Sequence, residues 1–187
     1  MILGIWTIFS LGNSSDVFLI LRAYDLGLTT TLTILAYVLY NFVYTVLSWP
    51  LGVLSDRLSR PLVLVGGLVV FAVVYLGFAL ATSAWLIWPL FAIYGIYIAA
   101  TDGVGKALVG DYVTDRNAGT AYGLFAAVSG GALLIASITA GLLWSQLNSR
   151  APFYLGATSS AVALLLLLGW LTLQRHGSTR PGDRVIS

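Results

Sequence analysis

Two short constellations put ionisable groups inside long apolar runs. Asn13, Ser14, Ser15 and Asp16 interrupt one run, and Asn13 and Asp16, three apart, share a face if the segment is helical. Asp102 and Lys106 stand four apart, acid first, the favourable order for a pair along one helix. A charge at membrane depth costs on the order of 3 kcal/mol or more unless it is paired or hydrated. Such groups either bind a solute or carry a proton, or they pin neighbouring helices together. Both readings stand for Asp16 and Asp102. For Lys106 the structural pair, which lets a helix end near the membrane surface, is preferred. Asn41 lies in a third run with Tyr37, Tyr40 and Tyr44, a three-and-four spacing that makes one stripe. Such a stripe either packs against another helix or faces a cavity.

Other chemistries find no residues. There is no cysteine, so disulfides and thiolate metal sites are excluded, and the single histidine, His176, lies in a polar tail. Neither a metal nor a cofactor is expected. Tyr24-Asp25 and Gly110-Asp111 hint at an aspartyl dyad, but alternation of the spans puts the two carboxylates on opposite sides of the membrane. Ser129-Gly130-Gly131 hints at a serine nucleophile, yet no histidine within the spans is available as its base. An enzyme is not expected. The nine basic residues are scattered, so no nucleic-acid partner is expected either.

The elements that must carry these residues are membrane helices. Of 187 residues, 59% are hydrophobic and 9% charged, against about 25% charged in a soluble domain. Mean hydropathy is +0.94. A crossing helix needs about 20 mainly apolar residues. That length predicts six spans, near Leu3–Ala23, Thr31–Leu54, Pro61–Ala81, Trp85–Asp111, Gly119–Trp144 and Phe153–Leu173. The first is broken by Asn13–Asp16, and the second carries Pro50 and Gly52 near its end. In the fifth, Gly119, Gly123, Ala127, Gly130, Gly131, Ser137 and Gly141 keep one side thin, which permits close helix approach or rocking. The expected organisation is an all-α integral membrane domain over residues 1–173 and a polar, exposed cytoplasmic tail over 174–187. The lipid bilayer is its first partner.

Arginine placement orients the bundle. Arg57, Arg60, Arg116, Arg175, Arg180 and Arg184 fall on one side, and only Arg22 and Arg150 on the other. The richer side faces the cytoplasm. Both termini are then cytoplasmic, and the expected location is a cell's inner (plasma) membrane. Trp49, Trp85, Trp144, Tyr24 and Tyr112 near span ends suit interfacial belts.

The loop between the second and third spans reads Gly52-Val-Leu-Ser-Asp-Arg-Leu-Ser-Arg60. It resembles the loop motif of the major facilitator superfamily, G-x-L-(S/A)-D-R-x-G-R, at the place that family requires. Ser59 stands where the family has glycine. The resemblance implies that Gly52, Asp56, Arg57 and Arg60 belong to a conformational gate, with Asp111 and Arg116 as charge partners at the end of the fourth span. The passage from Asp111 to Phe125 is similar to the family's step from a fourth to a fifth helix. The glycine-rich fifth span lacks the proline of the family's antiporter motif, so antiport is not inferred. Leu11–Arg22 is similar to the seventh helix of a bacterial subgroup, and Thr101–Lys106 to its tenth.

A transporter of this family has twelve spans in two similar halves. One loop motif and six spans imply one half, the C-terminal half or a product truncated on its N-terminal side, and the start within a helix-forming run agrees with that. The implied function is movement of a small-molecule solute by alternating access, with Asn13, Asp16, Asn41, Asp102 and Lys106 as pathway candidates and proton coupling through Asp16 or Asp102. The partner is a second six-helix half or a second copy. The competing expectation is a non-transporting structural or assembly protein, or an inactive fragment.

Overall fold

The computed structural model describes residues 2–58, 60–111 and 117–177, with side chains described for 4–55, 57–58, 61–103, 110 and 117–173. Seven α-helices follow one another: α1 (Ile2–Gly12), α2 (Val17–Asp25), α3 (Thr30–Arg57), α4 (Arg60–Leu80), α5 (Ile87–Asp111), α6 (Ala118–Gln146) and α7 (Ala151–Gly177). A 3-10 turn, Ala84–Leu86, leads into α5. No strand occurs among the described residues. Among the described residues six helical segments are long and apolar enough to cross a membrane, with α1 and α2 together making the first, Gly4–Asp25.

The expected interruption of that span is real. α1 stops at Gly12 and α2 resumes at Val17. Asparagine and serine side chains compete with the helix for backbone hydrogen bonds, which favours a break here. Irregular backbone is tolerated at membrane depth only where protein or a water-filled cavity satisfies it. Here Asn13 N–H still reaches the Phe9 carbonyl at 3.1 Å, and Ser15 N–H donates to Ser137 Oγ of α6 at 3.2 Å.

The other spans run close to their expected bounds. α3 continues through Pro50, beyond the expected end at Leu54, to Arg57. Thr29 opens it, its Oγ1 accepting from Leu32 N–H at 3.4 Å. Gly27, at φ +91°, makes the turn between α2 and α3 in a conformation that strains other residues.

α4 lies at the centre, packed on α5 along one side and on α7 along the other. α3 covers α5, while α1 packs against α7 and α6. Burial follows this order: 44% of the α4 span is buried, but only 17% of the α3 and α6 spans. The core is aromatic. Phe71 and Tyr75 stack with centroids 3.9 Å apart, and Phe78 stacks on Phe153 at 5.6 Å. Phe9 meets Phe71 edge-on at 4.9 Å. Since lipid is as apolar as leucine, such fitted contacts hold membrane helices together better than burial alone.

Glycines mark two close approaches. A Cβ on Gly95 of α5 would lie 2.7 Å from the Tyr40 carbonyl oxygen of α3, and one on Gly156 of α7 would lie 2.8 Å from the Gly12 carbonyl oxygen. The glycines of α6 behave otherwise. Gly119, Gly123, Gly130 and Gly131 have nothing within 4 Å of a built Cβ. Among the described residues the thin side of α6 therefore makes no close helix contact at those positions.

Candidate functional site

Asp16 stands at the N-cap position of α2, where the helix dipole favours negative charge. Its backbone is already helical (φ −54°, ψ −17°), and its carboxylate does not cap the helix. It turns to the neighbouring helices instead. Tyr94 Oη of α5 donates to Asp16 Oδ1 at 2.7 Å, and Tyr40 Oη of α3 donates to Oδ2 at 3.3 Å. Tyr40 and Tyr94 are both buried, with ring centroids 5.2 Å apart. Two phenol donors thus stabilise a carboxylate that apolar surroundings alone would disfavour. One member of the Tyr37/Tyr40/Tyr44 stripe holds Asp16; another, Tyr44, donates to Asp102 at 3.3 Å. None of these three tyrosine–aspartate pairs is visible from spacing, because the partners lie 24, 78 and 58 residues apart.

Asn13 and Asp102 line one cavity of about 290 Å³ between α1, α5 and α6, whose walls include Trp6, Phe9, Tyr97 and Phe125. Tyr97 sits 5.5 Å, ring to ring, from Tyr94, so the Asp16 cluster and this cavity share an aromatic wall. Asp102 also lines a second cavity, of about 170 Å³, with Gly52, Ser55 and Tyr44. The first residue of the loop motif therefore opens onto the same carboxylate as the larger cavity.

Asn41 is placed differently from these three. It is half-buried, and its Nδ2 donates to the Tyr37 carbonyl of its own helix at 2.8 Å. α5 is continuous from Asp102 to Asp111, so Lys106 follows Asp102 by one turn. The side chains of Lys106, Asp56, Arg60 and Asp111, and all of Arg116, lie outside the described residues. The Arg57 side chain is exposed at the last turn of α3, where a cation complements the helix dipole.

Arg22 takes a part that charge counting did not foresee. It lies in the last turn of α2, near the turn where the sequence set it, but is only 2% exposed. Its Nε donates to the Phe78 carbonyl at 3.1 Å, and Nη2 donates to the Ala81 carbonyl at 2.9 Å. Nη1 reaches Ser149 Oγ at 2.9 Å and also pairs with Asp25. Ser149 Oγ in turn donates to Asp25 at 2.6 Å. One guanidinium thus ties α2, the end of α4 and the loop between α6 and α7. The available signal was Arg22-x-x-Asp25, an acid three residues on within the same helix.

A six-span bundle with a broken first helix, carboxylates held by tyrosines and a cavity among the spans is the architecture of an integral membrane protein with a polar site inside its bundle. The profile of the Major Facilitator Superfamily matches residues 1–185, and the chain belongs to that family, whose members are transporters and not enzymes. It is similar to an uncharacterized MFS-type transporter of Methanocaldococcus jannaschii, 40% identical over 86% of this chain and 42% of that protein. The class H tetracycline resistance protein of Pasteurella multocida is 30% identical over 70% of this chain and 32% of its own length. The chloramphenicol resistance protein CraA of Acinetobacter baumannii is 30% identical over 69% of this chain and 30% of its own. The chain spans less than half the length of these relatives.

Proposed function

We propose that this chain is the C-terminal six-helix half of a twelve-span secondary transporter that moves a small organic solute by alternating access. The observation that carries the reading is the cavity that Asn13 and Asp102 share at membrane depth, next to the tyrosine-held Asp16. Membership of the family and relatives more than twice the matched length support a missing half. The printed names of two relatives, resistance proteins for tetracycline and chloramphenicol, support an organic solute.

Asp16 and Asp102 are the proposed proton carriers, with Asn13 as a solute contact and Asn41 and Lys106 as pathway residues. Gly52, Asp56, Arg57 and Arg60 form the cytoplasmic gate with Asp111 and Arg116, and the second cavity supports this by joining Gly52 to Asp102. Residues 1–173 form the membrane domain and 174–187 a cytoplasmic tail, in an inner membrane with both termini inside. The partner is a second six-helix half or a second copy of the chain. The sparsely buried α3 and α6, with the open glycines of α6, support a covering partner there.

Solute flux into proteoliposomes under an imposed pH gradient tests the reading, with tetracycline and chloramphenicol as first solutes. Proton-driven flux that Asp16→Asn and Asp102→Asn abolish is expected. Unchanged flux in both variants counts against both residues. A strictly monomeric particle in detergent, with no solute-dependent stabilisation, would favour a non-transporting assembly protein.

A further inference from the structure

The larger cavity has a wall chemistry that selects among solutes. Trp6, Phe9, Tyr97 and Phe125 line it. Their rings are steeply inclined to one another: 62° between Trp6 and Phe9, 41° between Trp6 and Phe125, and 68° between Phe9 and Tyr97. Centroid separations run from 5.7 to 6.2 Å. Rings at such angles form the walls of a box, whereas a parallel slot would admit only a stacked plane.

Polar side chains that can donate or accept complete the box. Asn13 and Ser129 both line the cavity, and among the described residues Ser129 Oγ is buried without a hydrogen-bond partner. A buried hydroxyl left unpaired costs about 1–3 kcal/mol, so a ligand or water that satisfies it gains that much. The Asp102 carboxylate adds negative charge to the same wall. Among the described residues, no basic side chain lines the cavity. The aromatic faces and the carboxylate favour positive charge and disfavour an anion, while Asn13 and Ser129 add hydrogen bonds in either direction.

We infer that this cavity binds an aromatic organic cation of one or two rings, held by the Trp6/Phe9/Tyr97/Phe125 box and oriented by Asn13, Ser129 and Asp102. The volume of about 290 Å³ sits at the lower limit for small-molecule pockets, which sets the size. This rests on the reading of the cavity as the solute site, and it names the class of solute.

The test is equilibrium dialysis against the full chain in lipid nanodiscs, with binding to empty nanodiscs subtracted. Three probes share one bicyclic ring: 1-naphthylmethylammonium (cation, with N–H donors), 1-methylnaphthalene (neutral) and 1-naphthoate (anion). Saturable binding of the cation is expected, at least about tenfold tighter than the neutral probe, with the anion weakest. Asp102→Asn should lower cation affinity about tenfold and leave the neutral probe within about twofold. Ser129→Ala, which removes one hydroxyl and no packing atoms of a ring, should weaken the cation about three- to tenfold. Trp6→Phe should weaken it too, because indole is the strongest cation-binding ring.

Equal or tighter binding of 1-naphthoate overturns the cationic class. If that binding is still weakened by Ser129→Ala, the cavity remains the solute site and the transport reading stands. Cation binding unchanged in all three variants overturns the placement in this cavity. No saturable binding of any probe overturns the inference, and proton-driven flux in proteoliposomes then decides the transport reading separately.

Discussion

Tyr94 Oη lies 2.7 Å from Asp16 Oδ1, joining the middle of α5 to the break in the first span. That bond explains how a carboxylate persists there. The broken helix supplies a dipole at α2, and the phenol supplies a short donor in surroundings where water is scarce. Tyr94→Phe should therefore lower thermal stability in detergent, by about 1–3 kcal/mol. Asp16→Asn should cost less, because an amide carbonyl still accepts from Tyr94. A double-mutant cycle checks the pairing, with a coupling of about 1 kcal/mol expected between Tyr94→Phe and Asp16→Ala, which removes the acceptor. Additive effects would mean that the two groups do not depend on each other.

Arg22 uses all three guanidinium nitrogens, on two backbone carbonyls, Ser149 and Asp25. Lysine has one nitrogen and cannot span those acceptors. Arg22→Lys and Arg22→Met should both destabilise the bundle, by about 3–5 kcal/mol for the truncation that strands the network. Asp25→Asn should change stability by under about 1 kcal/mol, since its side chain is 41% exposed and water screens its charge. Thermal unfolding followed by circular dichroism gives the ranking. Equal losses at Arg22 and Asp25 would show that the ion pair, and not the carbonyl contacts, holds the network.

Glycines on α5 and α6 should respond in opposite ways. A methyl at Gly95 would meet the Tyr40 carbonyl at 2.7 Å, a backbone atom that moves only with its helix. Gly95→Ala should destabilise by about 1–3 kcal/mol. A methyl at Gly123 meets nothing within 4 Å, so Gly123→Ala should be neutral or stabilising by up to about 1 kcal/mol through helix propensity. If a second half covers α6, Gly123→Ala should weaken that assembly while leaving the separate chain as stable as before. Melting curves and particle mass, measured together, separate these outcomes.

The loop motif should act on flux and not on folding. Arg57 is exposed at the end of α3, so Arg57→Ala should leave the melting temperature within about 2 °C. Solute flux in proteoliposomes should fall by about tenfold or more if Arg57 belongs to the gate. A large drop in melting temperature would instead make it a structural residue.

The sequence by itself determined the membrane class, the six spans, the break at Asn13–Asp16 and the place of the loop motif. Each rests on a local property. Span hydropathy is a sum over about 20 neighbours, and a break follows from four adjacent side chains competing with their own backbone. Arg22 shows where that locality ends. Counting charges gave it a side of the membrane but not its burial, which depends on the carbonyls at the end of α4 that lie against α2. The glycines of α6 show the same limit, since their spacing permits close packing but cannot say whether a helix is present to pack. The pairing of Asp16 with Tyr40 and Tyr94, and the cavity that Asn13 and Asp102 share, depend on which helices adjoin and at what rotation. Those are distances between residues far apart in the chain, and only tertiary packing sets them.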